Sequence, residues 1–320
     1  MSRTSIRGLR GALIAALVAG LAGCVTTTRT PLSDAHRAAI ASTQVHSNVP
    51  QEELGTSIVI SNISTGSGGL LVALITSAID AGVNNHRTND AETAAAPIRS
   101  ALMGLDTRAV VTKTLQEGIT QNELFKGVAI VPHAEAKLDQ ATFIRFVDSV
   151  SGTDAVFVVN FEYRLSPTRD AINVSAAATL LPTKEAASPE LKKVASAPPP
   201  QQFQFLPCPP LYRVVLHSTV PAPQGEGTAE ERWAANDGAA ARKAIEGGVA
   251  EVVRMLMWDL QQPGPKGQSY VVVGHQGMKI PALPWQDVLW YVLDSSGAPE
   301  GRTWARSPSG DLASFGDAYP

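Results

Sequence analysis

The sequence predicts an α/β protein in which a mixed sheet is sandwiched with helices, followed by an irregular, β-rich tail that contains tryptophans. Short β-branched segments alternate along the chain with segments whose apolar residues recur every three or four positions. The longest strand signal, DAVFVVNFEYRLSP, is followed by a turn and a second strand, which predicts a hairpin. A long amphipathic helix then closes the pattern before residue 263.

The first 25 residues have the composition of an export signal. Arg3, Arg7 and Arg10 precede an apolar run of eleven residues, 12–22. A transmembrane helix needs about 20 apolar residues, so this run is too short to be a stable membrane anchor. We therefore expect residues 1–23 to be a signal peptide that is removed.

The end of this run, Leu21-Ala22-Gly23-Cys24, resembles the lipobox of bacterial lipoproteins. The resemblance implies that Cys24 becomes the first mature residue and carries acyl chains such as palmitate. Two or three such chains hold a protein on a membrane effectively permanently. Val25, rather than Asp, after the cysteine implies the periplasmic face of the outer membrane. An ordinary cleavage site that happens to precede a buried cysteine is the alternative.

Composition divides the mature chain into three further parts. Residues 24–55 are rich in Thr, Ser and Pro, which predicts a flexible tether. Residues 56–262 are expected to form the α/β domain, with a proline-rich loop at 182–210. The tail, 263–320, is expected to pack on that domain. Apart from Cys24, the only cysteine is Cys208, which we expect to be an unpaired structural thiol.

The first half of the domain is predicted element by element. Strands are expected at 56–63 and 125–132, an apolar helix at 70–83, and a helix at 138–150. Pro97 suits the first turn of another helix, and Asp106 could cap a second one after it. The pattern leaves open whether 97–119 holds one helix or two.

In the second half, the strand DAVFVVNFEYRL places Val156, Val158, Asn160, Glu162 and Arg164 on one side and Phe157, Val159, Phe161 and Tyr163 on the other. A turn at 167–170 leads to a strand at 171–181, and another strand starts at Leu211. For the last helix, Thr228 and Glu231 fit a capping box, and Asp237 could cap its main run. Gly247-Gly248 inside it predicts close packing or a kink. The tail is predicted to hold a strand at 270–273 and a hairpin within 288–307.

This order of elements over residues 56–262 is similar to the α/β sandwich of the curli-export lipoprotein and of the amino-terminal domain of the Tol-system β-propeller protein. The segments SIVISNI, VAIVP and DAVFVVNFEYRL, together with the closing helix, carry the resemblance. It implies a fold and a place in the cell envelope rather than a specific activity.

Charge and motif content exclude several classes of function. Without residues 1–23 the chain keeps 23 of its 26 basic residues and all 29 acidic ones, so its formal charge changes from −3 to −6. No Lys/Arg cluster is present, so nucleic acid is not an expected partner. The six histidines have no metal-ligand spacing, and each is expected to be a surface or singly bonded side chain; they are His36, His46, His86, His133, His217 and His275. We predict no cofactor, no metal and no catalytic residue.

Two groups of apolar side chains are candidate contacts with a partner or a membrane. They are Leu70, Leu71, Leu74 and Ile75 on the apolar helix and Trp285, Trp290 and Trp304 in the tail, all of which could instead pack inside the domain. The first functional hypothesis is a non-enzymatic accessory factor that binds an envelope protein. The alternatives are a homo-oligomeric secretion ring, as the curli-exporter resemblance implies, and an envelope hydrolase without a recognisable motif.

Overall fold

The computed structural model describes residues 29–57, 81–125, 127–133, 140–261, 291–292, 304–306 and 312–314. The strands in these ranges are β1 (Thr43–Asn48), β2 (Gly55–Thr56), β3 (Ile130–His133), β4 (Ala155–Leu165), β5 (Ala171–Pro182), β6 (Tyr212–Pro221), β7 (Tyr291–Val292), β8 (Trp304–Arg306) and β9 (Leu312–Ser314). The α-helices are α1 (Asp34–Ala39), α2 (Ala81–Ala101), α3 (Thr107–Thr120), α4 (Gln140–Ser149), α5 (Pro189–Ala195) and α6 (Ala229–Gln261). None of these described helices is long and apolar enough to span a bilayer.

The strands form one mixed sheet in the order β3-β1-β4-β5-β6-β9-β8-β7, with β2 beside β4. Neighbours β3, β1 and β4 are parallel, whereas β4, β5 and β6 are antiparallel. The predicted hairpin is present: Leu165 pairs with Ile172, and Ser166 N–H donates to the Ala171 carbonyl. The predicted α/β class with a mixed sheet is confirmed.

The first face of the sheet forms the main core. The side chains predicted to share one side of β4, Phe157, Val159, Phe161 and Tyr163, are all buried there. Helices α2, α3 and α6 pack over this face and add Ile98, Leu115, Leu256 and their neighbours to the same cluster. Burial of this continuous apolar surface is the main stabilising contribution to the fold.

The second face of the sheet is apolar in one half only. Val156, Val158 and Leu181 pack there against α4 and against residues from the proline-rich loop. Cys208 belongs to this cluster as a buried free thiol, as predicted. Burial, followed by the negative charge of Asp148, raises the pKa of the Cys208 thiol to about 12.

The buried carboxylate of Asp154 joins three segments at the start of β4. Its Oδ2 accepts hydrogen bonds from the Ala41 and Ser42 amides at 2.9 and 3.0 Å, and its Oδ1 accepts one from the Ala187 amide at 2.7 Å. Ser42 Oγ in turn accepts from the Asp154 amide at 3.0 Å. The residue before β1 is thereby held against the residue before β4.

The prediction of a flexible tether at 24–55 is wrong for the part that the structure describes. Residues 43–48 form β1, which lies between β3 and β4. The segment looks like a linker because only Val45 in TQVHSN is a large apolar residue, yet strands on both sides satisfy its backbone. Leu32, earlier in the same stretch, is also buried in the main core.

The region around residues 97–120 contains two helices. Pro97 lies inside α2 and not in a first turn, so that prediction is wrong; the preceding run Ala94–Ala96 favours helix strongly enough to continue it through the proline. The cap predicted at Asp106 is present, since its carboxylate accepts from the Ala109 amide at 2.9 Å. The strand predicted at 125–132 begins later, at Ile130, because Glu123–Phe125 forms a 3₁₀ turn.

Two further predictions concern the long loop and the last helix. The proline-rich loop contains α5 and a second 3₁₀ turn, Gln201–Phe203. The capping box at Thr228 and Glu231 is confirmed by reciprocal bonds of 3.2 and 2.8 Å. Asp237 lies in a break within α6 instead, with φ of +54°.

Several predictions fall on residues outside the described ranges. These are the strand at 56–63 beyond Ser57, the apolar helix at 70–83 before Ala81, and the tail strand at 270–273. Within the tail, β7 and β8 pair antiparallel, which agrees with a hairpin between 288 and 307.

The two adjacent glycines of α6 differ in environment, and this difference predicts opposite effects of substitution. A Cβ on Gly248 would lie 2.5 Å from Val174 Cγ2, whereas a Cβ on Gly247 would meet nothing within 4 Å. We expect Gly248→Ala to lower the free energy of unfolding by about 1–2 kcal/mol, because overpacking outweighs the better helix propensity of alanine. Gly247→Ala should raise it by up to about 1 kcal/mol. Urea unfolding measures both, and equal effects would contradict the close packing of α6 on β5.

Candidate functional site

Of the predicted lipidation and contact residues, the structure describes only Trp304. Cys24, Leu70, Leu71, Leu74, Ile75, Trp285 and Trp290 lie outside the described residues. The backbone of Trp304 lies in β8, which pairs with β7 and β9. The described residues instead show two arrangements that the sequence does not reveal.

The first arrangement fixes the point where the chain enters the domain. Arg29 Nε donates to both carboxylate oxygens of Asp259, at 3.1 Å each, and Tyr212 Oη donates to Asp259 Oδ2 at 3.0 Å. The Asp259 side chain is completely buried. Thr30 adds two backbone hydrogen bonds to Arg213, of 2.7 and 2.8 Å. Arg29 and Thr30, the first residues that the structure describes, are therefore fixed to the domain, and they lie close to Cys24 in the chain.

The second arrangement is a hydrogen-bonded pair of histidines. His46 Nδ1 and His133 Nε2 are 2.8 Å apart. The ring centroids are 5.1 Å apart. This distance equals the nitrogen–nitrogen distance plus about one ring radius on each side, so the two centroids and the two nitrogens lie nearly on one line. The N–H···N bond is therefore nearly straight. The Phe146 ring packs edge-on against both imidazoles. The two histidines are 87 residues apart in the chain, so no local spacing could have indicated the pair.

The topology of the sheet explains where this pair forms. Both histidines lie towards the carboxyl ends of adjacent parallel strands, β1 and β3. The helices that follow β1 in the chain, α2 and α3, pack on the first face, whereas α4, which follows β3, packs on the second. Adjacent parallel strands whose connections leave towards opposite faces form the crevice in which open α/β sheets commonly bind ligands.

Burial determines the protonation of this pair. His46 is only 5% exposed. Desolvation, followed by the charge of His133, lowers the pKa of His46 from 6.5 to about 4. At neutral pH the His46 ring is therefore uncharged, and one hydrogen bridges the two rings. Its other ring nitrogen, Nε2, is buried and has no hydrogen-bond partner among the described residues.

A second buried polar atom lies on the same face of β1, two residues further on. Asn48 Nδ2 donates to Asn160 Oδ1 at 3.1 Å, while Asn48 Oδ1 is buried and finds no partner in the part of the chain that the structure describes. Unpaired buried polar groups are uncommon in folded proteins, because each costs about 1–3 kcal/mol. Two of them on one strand mark this face as a place where a further group could bind.

Asn48 and Asn160 belong to a surface that we call the polar half-face. It is the half of the second face that lies beyond the apolar cluster. Its members share this side of the sheet by strand alternation and pairing; they are Asn48, Asn160, Glu162, Arg164, Asn173, Ser175, His217 and Thr219. Some of them bond to each other: Arg164 Nε donates to Glu162 at 3.1 Å, and Thr219 Oγ1 donates to Asn173 Oδ1 at 2.8 Å. The half-face therefore offers both hydrogen-bond donors and acceptors.

The chemistry of these groups favours recognition. In a straight imidazole pair the bridging nitrogens point at each other, so they do not converge on a shared metal ion. Within the described ranges, no three His, Cys, Asp or Glu side chains group as metal ligands. The Cys208 thiol remains protonated at neutral pH and is therefore a poor nucleophile.

The lowered pKa of His46 predicts a specific pH dependence of stability. Between pH 6.5 and pH 4 the unfolded chain takes up a proton that the folded chain resists, so the free energy of unfolding should fall as the pH falls. We expect the lowered pKa of His46 to account for about 2 kcal/mol of this decrease in the free energy of unfolding. Urea unfolding of the wild type and of His46→Gln at several pH values in this range measures the contribution of His46 as the difference between their two pH dependences. A variant that keeps the full wild-type pH dependence would contradict the assignment, and His36→Gln controls for removing a histidine elsewhere.

Comparison with known proteins assigns no family and no function to this arrangement of residues. The function must therefore be inferred from the residues themselves. No protein-family model, no curated protein and no solved structure matches the chain.

Proposed function

We propose that this protein is a lipid-anchored outer-membrane protein that faces the periplasm and binds another envelope component without catalysing a reaction. The polar half-face carries the binding part of this proposal. The export signal and Leu21-Ala22-Gly23-Cys24 support the location. The expected partner is an envelope protein that assists assembly, export or cell-wall construction.

The bond between Arg29 and Asp259 supports the proposal that the domain is held close to the membrane. Arg29 follows Cys24 by five positions, and an extended chain spans at most about 3.6 Å per residue, or about 18 Å in total. Arg29 cannot easily leave the domain, because it would abandon the buried charge of Asp259. An acylated Cys24 would therefore keep the end of the sheet near Tyr212 next to the lipid.

The composition of β4 supports the second face as the binding surface. On the first face, its side chains are apolar throughout, from Phe157 to Leu165. On the second face, Val156 and Val158 give way to Asn160, Glu162 and Arg164 in the same strand. The apolar cluster on that face, which includes residues of α4, contains none of the polar half-face. Four members of the polar half-face are buried and four are half-buried, so this face suits a polar ligand or a polar group of a partner; the buried ones are Asn48, Asn173, His217 and Thr219.

The anchor is tested by the two cysteines, which form a matched pair. Cys24→Ala should abolish incorporation of labelled palmitate, because the substitution removes the thiol that accepts the acyl chain. Cys208→Ala should keep both label and membrane attachment, because its thiol is buried and far from the amino terminus. Palmitate label that persists on Cys24→Ala, or wild-type protein that takes up no label, would overturn the proposed anchor.

The binding surface is tested by the two exposed large apolar residues among those described, Val131 and Met103. Val131 pairs with His46 and lies beside the candidate site, whereas Met103 lies in the turn between α2 and α3. A photocrosslinking amino acid at Val131 should capture a distinct envelope protein in living cells, as identified by mass spectrometry. The same group at Met103 should not capture it. Equal capture at both positions, or none at Val131, would contradict a binding surface on the second face.

A further inference from the structure

The histidine pair joins three elements at one edge of the second face. His46 lies on β1, His133 ends the edge strand β3, and Phe146 on α4 contacts both rings. Among the described strands, β3 pairs with β1 alone. Its four residues include Pro132, which has no amide hydrogen to donate, so few backbone bonds hold it in place. The imidazole bond adds to the pairing with β1 and to two further bonds, from the Val49 amide to the His133 carbonyl at 3.3 Å and from the Ile130 amide to Gln116 Oε1 at 3.0 Å.

A nearly straight imidazole pair can hold only one additional proton at most. With one bridging hydrogen, one ring donates and the other accepts. When both rings are protonated, neither has an acceptor left, and two positive charges lie in a buried site 2.8 Å apart at the nearest nitrogens. The rings must then separate. Since β1 is held by β4 along its whole length, β3 and α4 are the elements that can move.

We propose that the His46–His133 pair is a proton-operated latch, which holds β3 and α4 against β1 at neutral pH and releases this edge of the second face in acid. The lowered pKa of His46 agrees with a closed form that resists protonation. The role as a regulator rests on the proposed function, because a periplasm-facing binding surface would then change with the acidity outside the cell.

Other charged groups near the pair are already engaged. On β4, Glu162 is bonded to Arg164. On α4, Asp148 is paired with Lys184 at 2.8 Å, and Arg145 donates to Thr142. On β1 itself, the neighbours on the same face are the uncharged Gln44 and Asn48. Within the described residues, His133 is the charged group that acts on the pKa of His46.

Hydrogen exchange resolved along the purified full-length chain tests the latch. Exchange rates are first corrected for the intrinsic, pH-dependent exchange rate of each amide. The protection factors of amides in β3 and α4 should then fall by up to about tenfold per pH unit below pH 6.5, which amounts to on the order of a hundredfold by pH 4.5. The centre of the β4–β5 hairpin serves as the internal reference and should change much less. Protection of β3 and α4 that stays constant, or that falls only in step with the hairpin, would overturn the proposal.

The variant His46→Gln separates the latch from general acid sensitivity. A glutamine amide can donate to a neutral His133 and accept from a protonated one, so this edge should stay closed across the range. If His46→Gln does not fold, His133→Gln makes the reciprocal test. Acid opening of β3 and α4 that persists unchanged in a folded variant would refute the latch. The measurement does not depend on lipid attachment, so its failure is distinct from failure of the proposed location.

Discussion

The carboxylate of Asp154 sets the register of β1 against β4, and the arrangement of the second face depends on that register. Burial alone would raise the pKa of Asp154, but hydrogen bonds from Ala187, Ala41 and Ser42 outweigh it and leave the pKa lowered. Those bonds place Thr43 opposite Ala155 and hence Asn48 opposite Asn160. A shift of one residue would turn His46 and Asn48 into the main core.

The strongly patterned parts of the fold could be predicted from the sequence, because their signals lie within short stretches of the chain. The hairpin of β4 and β5 and the cap at Asp106 each depend on residues that are neighbours in the chain or on a strict period, and the glycine pair in α6 indicated close packing although not its partner Val174. Strand β1 could not be predicted in this way. Its six residues are mostly polar, and its partners Ile130 and Ala155 lie 85 and 112 residues further along the chain.

The candidate site was hidden for the same reason. Each histidine alone has the features of a surface or singly bonded side chain, and only the pairing of β1 with β3 places the two rings in contact. One signal was present in the sequence: the change from Val158 to Asn160 on one side of β4. That change marks where the second face stops being core, although it does not name the partners of Asn160 across the sheet.

The bond between Arg29 and Asp259 has a consequence for how the molecule folds. The two residues are 230 positions apart, so this contact closes nearly the whole described domain into one loop. Contacts of such high sequence separation form late and slow the folding of a chain. Arg29, the first residue that the structure describes, therefore lacks its carboxylate partner until α6 has been synthesised. This end of the domain therefore cannot reach its native contacts by folding from the amino-terminal side alone.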